Sequence, residues 1–159
     1  MSVAFTREED LEATAADLAD RPISPHPNLV TPHGLERIEA ELAAARAAYT
    51  AAQVAGSIEA DRTAMARATR DLRYWSSRRA TAQVQEPTAG DGVVRFGSTV
   101  AIERADGREQ TWCIVGEDEA DPREGRISYV SPLAQALLGR AVGDEGAAAG
   151  QPFEIVAVD

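Results

Sequence analysis

Residues 31–54 read TPHGLERIEAELAAARAAYTAAQV, and this stretch decides the architecture of the first half of the chain. Thr31-Pro32 supplies a helix N-cap followed by a proline at the first helical position. Apolar side chains then recur at alternating spacings of three and four residues, the heptad pattern of a helix that packs along a partner helix. These positions are Leu35, Ile38, Leu42, Ala45, Tyr49 and Ala52. The stretch therefore predicts one long helix with a single apolar seam.

A second series with the same spacing supplies the partner helix. Its members are Met65, Ala68, Leu72, Trp75, Arg79 and Ala82. A short turn at Gly56-Ser57, between the two series, makes the helices antiparallel. The pattern thus predicts a coiled-coil hairpin with arms of about 25 residues and about 37 Å. Because the seam alanines bury little area, we expect the large side chains to dominate the packing. These are Leu42, Tyr49, Leu72 and Trp75.

The residues before the hairpin, 1–30, form an acidic extension. It carries two arginines against six acidic residues, a net charge of +2 − 6 = −4. A helix in so short a segment is marginal without packing. The prolines at Pro22, Pro25 and Pro27 favour an extended backbone. We therefore expect this extension to be largely extended.

After the hairpin the periodicity changes from helical to two residues. Pro87 ends the second helix, and residues 87–92 have the composition of a linker. Alternating segments then predict β-strands, with a hairpin turn at Asp106-Gly107, and Ser131-Pro132 caps a short helix through Leu138. The predicted strands are Val93–Phe96, Thr99–Glu103, Gln110–Val115, Arg126–Val130 and Phe153–Val158. The chain is thus expected to be α+β, with the hairpin in residues 31–86 and a small sheet domain with one helix in residues 93–159.

Composition excludes several classes of protein. The 159 residues carry 26 acidic and 16 basic side chains, a net charge of −10 that argues against a general nucleic-acid coat protein. Cys113 is the only cysteine, so the chain has neither an internal disulfide nor a cysteine zinc site. No run of 18 apolar residues predicts a membrane span, and the first residues lack the pattern of a signal peptide. We expect a cytoplasmic location without membrane contact.

Local charge identifies a basic stripe in the second helix. Residues 59–84 carry six arginines against three acidic residues, +6 − 3 = +3, so the remainder of the chain carries −13. A solvated helix face and a surface that tolerates RNA or an acidic protein both explain this pattern, and both stay open. The candidate RNA-proximal arginines are Arg62, Arg67, Arg70 and Arg73.

Sites for chemistry are otherwise absent from the sequence. It contains no nucleophile triad, phosphate loop or metal-binding cluster, and His26 and His33 have no nearby ligand partners. Four acids crowd the predicted loop after the third strand, a pattern of solvated loops that lacks the spacing of a calcium loop. They are Glu117, Asp118, Glu119 and Asp121. We expect no metal and no cofactor of the chain's own.

Several motifs in the C-terminal part resemble a known family. They are Phe96-Gly97-Ser98-Thr99-Val100, Ile114-Val115-Gly116-Glu117-Asp118-Glu119-Ala120-Asp121, Ile127-Ser128, Ser131-Pro132-Leu133-Ala134-Gln135-Ala136-Leu137-Leu138-Gly139 and Val142-Gly143-Asp144. In order and spacing across residues 93–158 they resemble the C-terminal domain of the GreA/GreB transcription elongation factors. Residues 31–85 are similar in layout to the N-terminal coiled coil of that family.

The resemblance implies an FKBP-like fold for the C-terminal domain, used for binding and not for prolyl isomerisation. In the family this domain grips the rim of the secondary channel of RNA polymerase, on a coiled coil of the largest catalytic subunit. The corresponding contact residues here are Asp118, Glu119, Asp121, Ser131 and Pro132. The chain is then an accessory factor of the polymerase and not an enzyme.

The tip of the hairpin departs from the family pattern. Family members carry Gly-Asp-x-x-Glu-Asn, and this chain has Ser57 and Ala60 at the two acidic positions. Glu59 and Asp61 are the candidate tip acids, displaced in sequence. Each arm is also about one heptad, or about 10 Å, shorter. The resemblance then implies a regulator that binds polymerase without stimulating transcript cleavage.

Three further hypotheses stay open on the sequence. The first is a functional cleavage factor that uses the displaced tip acids. The second is a protein similar to Rnk, a family member with a short coil that is a regulator of nucleoside diphosphate kinase. The third is an adaptor whose coiled coil binds another protein.

Overall fold

The computed structural model describes residues 18–54, 58–88 and 90–159, with the side chains of residues 58–61 outside the description. The chain is mixed α+β, as expected. It divides into two compact units, one formed by residues 38–81 with the N-terminal segment up to Pro25, and the other by residues 26–37 with residues 82–159. The domain boundaries proposed from the sequence stay predictions.

Two long helices make up the helical region: α1, Pro32–Val54, and α2, Ile58–Thr81. The residues that join them lie outside the described part of the chain. On α1 the predicted seam is the buried face, with Ile38, Leu42, Ala45 and Ala52 buried and Leu35 and Tyr49 half-buried. The heptad pattern therefore identified the packed side of this helix correctly.

On α2 the predicted seam holds only in part. Ala68 is buried, whereas Met65, Leu72 and Trp75 are half-buried. The assignment of Arg79 to the seam was wrong: Arg79 is exposed and its neighbour Arg78 is 2% exposed. Arg79 instead donates from Nε to Glu39 Oε1 at 2.9 Å, which brings the end of α2 beside the beginning of α1. A guanidinium with a carboxylate partner at the solvent edge gains little from burial, because desolvation offsets the Coulomb attraction.

The second unit is built on a five-stranded sheet. Its strands are β3 (Thr99–Arg104), β4 (Glu109–Val115), β5 (Arg126–Ser128), β6 (Glu145–Ala148) and β7 (Gln151–Val158), preceded along the chain by the two-residue strands β1 (Leu29–Val30) and β2 (Gln83–Val84). The order across the large sheet is β5-β4-β3-β7-β6, and only the β4–β5 pair is parallel.

One face of this sheet is covered by the short helix α3, Pro132–Leu137. Ala134 and Leu137 of the helix are fully buried, and they pack with apolar residues of the strands and of the segment before β3. These core residues are Val94, Val100, Ile102, Ile114, Ile127, Phe153 and Ile155. Alternate positions of β3 and β4 supply the core, because successive side chains of a strand point to opposite faces.

The predicted strand at Val93–Phe96 was wrong. Only Val93 forms an isolated bridge, with Ala141. Val94 donates to the Arg140 carbonyl at 2.7 Å and accepts from the Gly139 amide at 2.9 Å, so its backbone pairs with the loop after α3 and not with a ladder. The stretch has the alternating apolar pattern of a strand because its apolar side chains pack in the core at that loop. Its backbone, however, lacks the hydrogen bonding of a strand.

Three strands escaped sequence analysis. β1 and β2 have two residues each and form a parallel pair, with Leu29 opposite Gln83 and Val30 opposite Val84. β6 is an edge strand of sequence Glu-Gly-Ala-Ala that lacks β-branched residues. Such short or small-residue segments show no periodicity, and only their pairing partners define them as strands.

Candidate functional site

The parallel β4–β5 pair brings two of the predicted contact segments to one end of the sheet. Val115 lies opposite Ser128, and the Tyr129 amide donates to the Val115 carbonyl at 2.9 Å. The acidic loop, residues 116–121, follows β4, and the Ser131-Pro132 start of α3 follows β5 shortly after. Because parallel strands end at the same edge, both segments leave the sheet side by side.

The acidic loop ends in a fixed cap. The amides of Glu119 and Ala120 donate to the Gly116 carbonyl at 3.2 and 3.1 Å, which closes the loop into one tight turn. Asp121 then caps the short 3-10 helix Pro122–Glu124, accepting on Oδ1 from the Arg123 amide at 3.1 Å. Asp118 and Asp121 are both half-buried, and the backbone of Asp121 pairs with Arg126, at the opposite end of β5 from Ser131.

The start of α3 is the second part of the rim. Ser131 Oγ accepts a hydrogen bond from the Ala134 amide at 3.3 Å, as expected of an N-cap. Pro132 occupies the first turn and is exposed. In the segment between β5 and α3, the ring of Tyr129 meets Phe96 edge to face, with centroids 5.7 Å apart.

Glu119 lies in the interior, unlike its neighbours in the acidic loop. It is 5% exposed, and its Oε2 accepts from Thr31 Oγ1 at 2.6 Å. Its backbone carbonyl accepts from Arg37 Nη1 at 3.1 Å. Thr31 Oγ1 in turn accepts from the Gly34 amide at 2.9 Å, the capping bond predicted at the start of α1. Glu119 thus joins the acidic loop to the first turn of α1.

The segment before α1 forms a wall along the same loop, and sequence analysis missed this contact. The Gln83 and Gln85 amides donate to the Asn28 and Val30 carbonyls at 2.8 and 2.9 Å. A Cβ on Gly116 would lie 2.3 Å from the Leu29 carbonyl oxygen, so only glycine allows this approach. Gly116, the first residue of the acidic loop, was the one sequence signal for this contact. The sequence alone does not indicate which segment packs against it.

The arginines of the predicted basic stripe are spread over an arc of about 140° around α2. At 3.6 residues per turn, Arg73 lies about 20° and Arg70 about 80° from Arg62 around the helix axis, whereas Arg67 lies about 140° away. Arg62, Arg67 and Arg73 are exposed and Arg70 is half-buried. Arg73 pairs with Asp20 at 3.1 Å. The charge of the stripe is therefore partly neutralised within the chain.

The candidate tip acids lie outside this description. Glu59 and Asp61 belong to the first turn of α2, and their side chains, like residues 55–57, are not among the described ones. Within the described ranges no three His, Cys, Asp or Glu side chains come together as metal ligands. Among the helices of those ranges, none combines the length and apolar character that a bilayer crossing requires.

Comparison with known proteins identifies the C-terminal domain. The model of the family described as transcription elongation factor GreA/GreB, C-terminal, matches residues 88–158. The transcription elongation factor GreA of Desulfovibrio desulfuricans is 49% identical over 77 residues, which are 46% of this chain and 47% of that protein. GreA of Chloroflexus aurantiacus is 49% identical over 72 residues, 45% of each chain. The chain spans about half the length of the curated relatives it matches.

A solved structure of low sequence identity also aligns with the chain. GreA factor homolog 1 of Thermus thermophilus aligns with 84% of this chain and 99% of its own, at 24% identity and a TM-score of 0.40. The range that the family model matches includes the acidic loop and the Ser-Pro helix start. Residues 88–158 are therefore similar to the C-terminal domain of the GreA/GreB transcription elongation factors.

Proposed function

We propose that this chain binds RNA polymerase at the rim of the secondary channel and regulates transcription elongation. The observation that carries the proposal is the side-by-side exit of the acidic loop and the Ser131-Pro132 helix start from the parallel β4–β5 pair. Both segments lie in the domain that the family model matches. The chain acts as a cytoplasmic accessory factor, without catalytic activity or a cofactor of its own.

The proposed contact surface consists of Asp118, Asp121, Ser131 and Pro132, facing a coiled coil of the largest catalytic subunit. The carboxylates of this surface suit a partner with basic side chains, since complementary charge speeds association and fixes orientation. Glu119 serves the same surface indirectly. Its buried carboxylate holds the loop on Thr31, so that it positions the neighbouring acids.

The two long helices form the arm of the proposed factor. We infer that they pack as an antiparallel coiled-coil hairpin and that the sheet domain is FKBP-like. The buried seam of α1 and the Glu39–Arg79 pair support the hairpin. Helices of 23 and 24 residues rise about 35 Å. In the polymerase channel the basic stripe of α2 would lie close to the transcript.

The arm is proposed not to stimulate transcript cleavage. A carboxylate must come within about 2–2.6 Å of a metal ion to coordinate it. Ser57 and Ala60, at the two positions where the family has acids, carry no charge. An arm shorter by about 10 Å leaves a gap that no rotamer change closes. Occupation of the channel without chemistry is the regulatory mode that fits both features.

Docking is tested by titrating labelled polymerase with the purified chain. The double variant Asp118→Asn/Asp121→Asn removes two charges, while the amide introduced by Asp121→Asn keeps an acceptor for the cap of the 3-10 helix. We expect weaker binding, mainly through slower association and a smaller dependence on salt. Glu124→Gln, an exposed neighbour in the same short helix, is the matched control. Equal affinities for wild type and the double variant would contradict the proposed surface.

Pro132→Ala tests the other half of the surface in the same titration. The Ser131 cap is retained, so α3 should form and the thermal melt should change little. A loss of affinity with an unchanged melt supports direct contact by the proline.

Asp121→Arg is a further test of charge in the same titration. It should weaken polymerase binding because it reverses a charge of the proposed surface.

A further inference from the structure

The segment Leu18–Pro25, which precedes the sheet unit in sequence, lies against α2. Arg21 is its anchor. The guanidinium carbon lies 3.8 Å from the centroid of the Tyr74 ring and 5.3 Å from that of Trp75, and Nη1 lies 3.4 Å from Asp71 Oδ1. Tyr74 and Trp75 meet edge to face at 4.9 Å and form a two-sided aromatic seat. A cation over an aromatic face, with a carboxylate beside it, is a specific arrangement for a guanidinium.

The neighbouring residue adds a second contact of opposite sign. Asp20 Oδ1 accepts from Arg73 Nη1 at 3.1 Å. Two consecutive residues of the segment, one acidic and one basic, therefore pair with a basic and an acidic residue of α2. This alternation fixes both the register and the direction of the segment on the helix, which a single ion pair cannot do.

We propose that this face of α2 is the docking surface of the chain's own acidic N-terminal extension, which there competes with RNA phosphates for the arginines. Residues 1–20 carry six acidic residues against one arginine, a net charge of +1 − 6 = −5. The inference rests on the proposed function, because the arginine stripe is the surface assigned there to the transcript.

Two further arginines of the stripe lie near the anchor around α2, and Nε of one of them, Arg70, is 3.8 Å from Asp71 Oδ1. Around the helix axis Arg67 lies about 20° and Arg70 about 40° from Tyr74. Along the axis Arg67 is about 9 Å from Arg73, at 1.5 Å per residue. An extended chain spans up to about 3.5 Å per residue, so the acids of residues 8–17 are within reach of both arginines once Asp20 is fixed.

The docking is reversible because one of its two ion pairs is well exposed and the other, Arg21–Asp71, still has 35% and 40% of its side chains exposed. The side chains of Arg73 and Asp20 are 67% and 62% exposed, so their attraction is weak and is screened by salt. An RNA strand presents a continuous row of phosphates and gains from the release of its counterions. The extension therefore acts as a displaceable shield that limits binding of free RNA to the arginines. In a complex with polymerase, where the local concentration of transcript is high, RNA displaces the extension.

The test measures binding of a labelled single-stranded RNA oligonucleotide to the full chain by fluorescence anisotropy. Arg21→Ala removes a positive charge, so simple electrostatics would lower the affinity, whereas release of the shield raises it. We expect a rise of roughly threefold to tenfold at low salt that disappears at high salt. Arg46→Ala, an exposed arginine of α1, removes the same charge without touching the segment and should lower affinity slightly.

A second variant tests the acids directly. Replacing Glu8, Glu9, Asp10, Glu12 and Asp17 with Gln or Asn should raise affinity at least as much as Arg21→Ala. Proton NMR of Arg21 supplies an independent readout, because the rings of Tyr74 and Trp75 shift its side-chain protons upfield. Addition of RNA to wild type should move these signals toward the values of an unstacked arginine.

The outcomes separate the two ideas. RNA binding with unchanged Arg21 signals, or equal affinities for wild type and both extension variants, would overturn the shield and leave the polymerase-binding proposal intact. Absence of RNA binding by every variant would overturn both the shield and the role of the stripe. Failure of the polymerase titration alone, with the affinity changes present, would overturn the docking proposal and keep the shield.

Discussion

Single residues decide how the acidic loop is held, and Glu119 is the clearest case. Its buried carboxylate accepts from the Thr31 hydroxyl at 2.6 Å. Replacing Glu119 with Ala leaves that hydroxyl without its partner inside the unit, which costs about 1–3 kcal/mol. We expect Glu119→Ala to lower the free energy of unfolding by this amount in chemical denaturation. Glu119→Gln keeps an acceptor and should cost less.

The control for this prediction is a carboxylate of the same region that faces solvent. Glu124 is exposed in the short 3-10 helix, and Glu124→Gln should change stability by no more than about 0.5 kcal/mol. If Glu119→Ala were as mild as the control, the carboxylate would not be holding the loop. Glu119 would then be assigned, like Asp118 and Asp121, to direct contact with the polymerase.

Cys113 gives a pH-dependent prediction at the same scale. Burial raises the pKa of its thiol, a hydrogen bond with Thr99 acts in the opposite direction, and the charge of Glu119 raises it further. The folded chain therefore keeps the thiol protonated at pH values where the unfolded chain forms thiolate, and stability falls as pH rises through this window. Near pH 8.5 we expect slower alkylation of the folded than of the denatured chain. Equal rates would show that the thiol is not protected.

At the scale of secondary-structure elements, stability depends on packing, and only some positions of a helix are packed against other residues. Leu42 is buried on α1, whereas Val54 of the same helix is 80% exposed. Leu42→Ala should destabilise the helical unit by about 2–5 kcal/mol, because it removes apolar contacts and leaves a cavity. Val54→Ala is the matched control and should stay within about 0.5 kcal/mol. Helical circular dichroism during thermal melting measures both, and similar losses would mean that the seam is not a packed interface.

On α2 the large residues contribute less than their size indicates. Leu72 and Trp75 are half-buried, so we expect their alanine variants to lose less stability than Leu42→Ala. Trp75 also belongs to the aromatic seat of Arg21. Trp75→Ala should therefore affect the docked N-terminal segment as well as the packing of the helix.

At the scale of the whole molecule the proposals combine into one behaviour on polymerase. We expect the chain to bind polymerase, to leave a backtracked transcript uncleaved and to compete with a true cleavage factor. Ser57→Asp with Ala60→Glu should not restore cleavage, whereas the same pair with one heptad added to each arm should. The measurement is transcript shortening in a backtracked complex. Cleavage by the wild type, lost in Glu59→Ala or Asp61→Ala, would overturn this expectation and favour a functional cleavage factor.

The remaining hypotheses differ in their partners. Stimulation or inhibition of nucleoside diphosphate kinase by the purified chain would favour a Rnk-like regulator. Capture of another protein by the helices, with no affinity for polymerase, would favour an adaptor. The polymerase titration separates these outcomes from the proposed function.

The sequence by itself determined the features that depend on local spacing. Heptad positions identified the buried face of α1, Thr31-Pro32 and Ser131-Pro132 marked two helix starts, and Asp106-Gly107 marked a hairpin. These signals are short-range, because helix periodicity, capping and turn geometry depend on residues only a few positions apart. The motifs of residues 93–158 likewise indicated the family whose C-terminal model matches residues 88–158.

Only the tertiary structure decided which acids of the loop face outward. Glu117, Asp118, Glu119 and Asp121 are alike in sequence, but Glu119 is buried against Thr31, 88 positions away. Tertiary contacts also explain three other features: the two-residue strands β1 and β2, the burial of Arg78 in place of Arg79, and the stacking of Arg21 on Tyr74. Each depends on a partner distant in sequence, and the free energy of such a contact is set by burial and geometry that no local pattern contains.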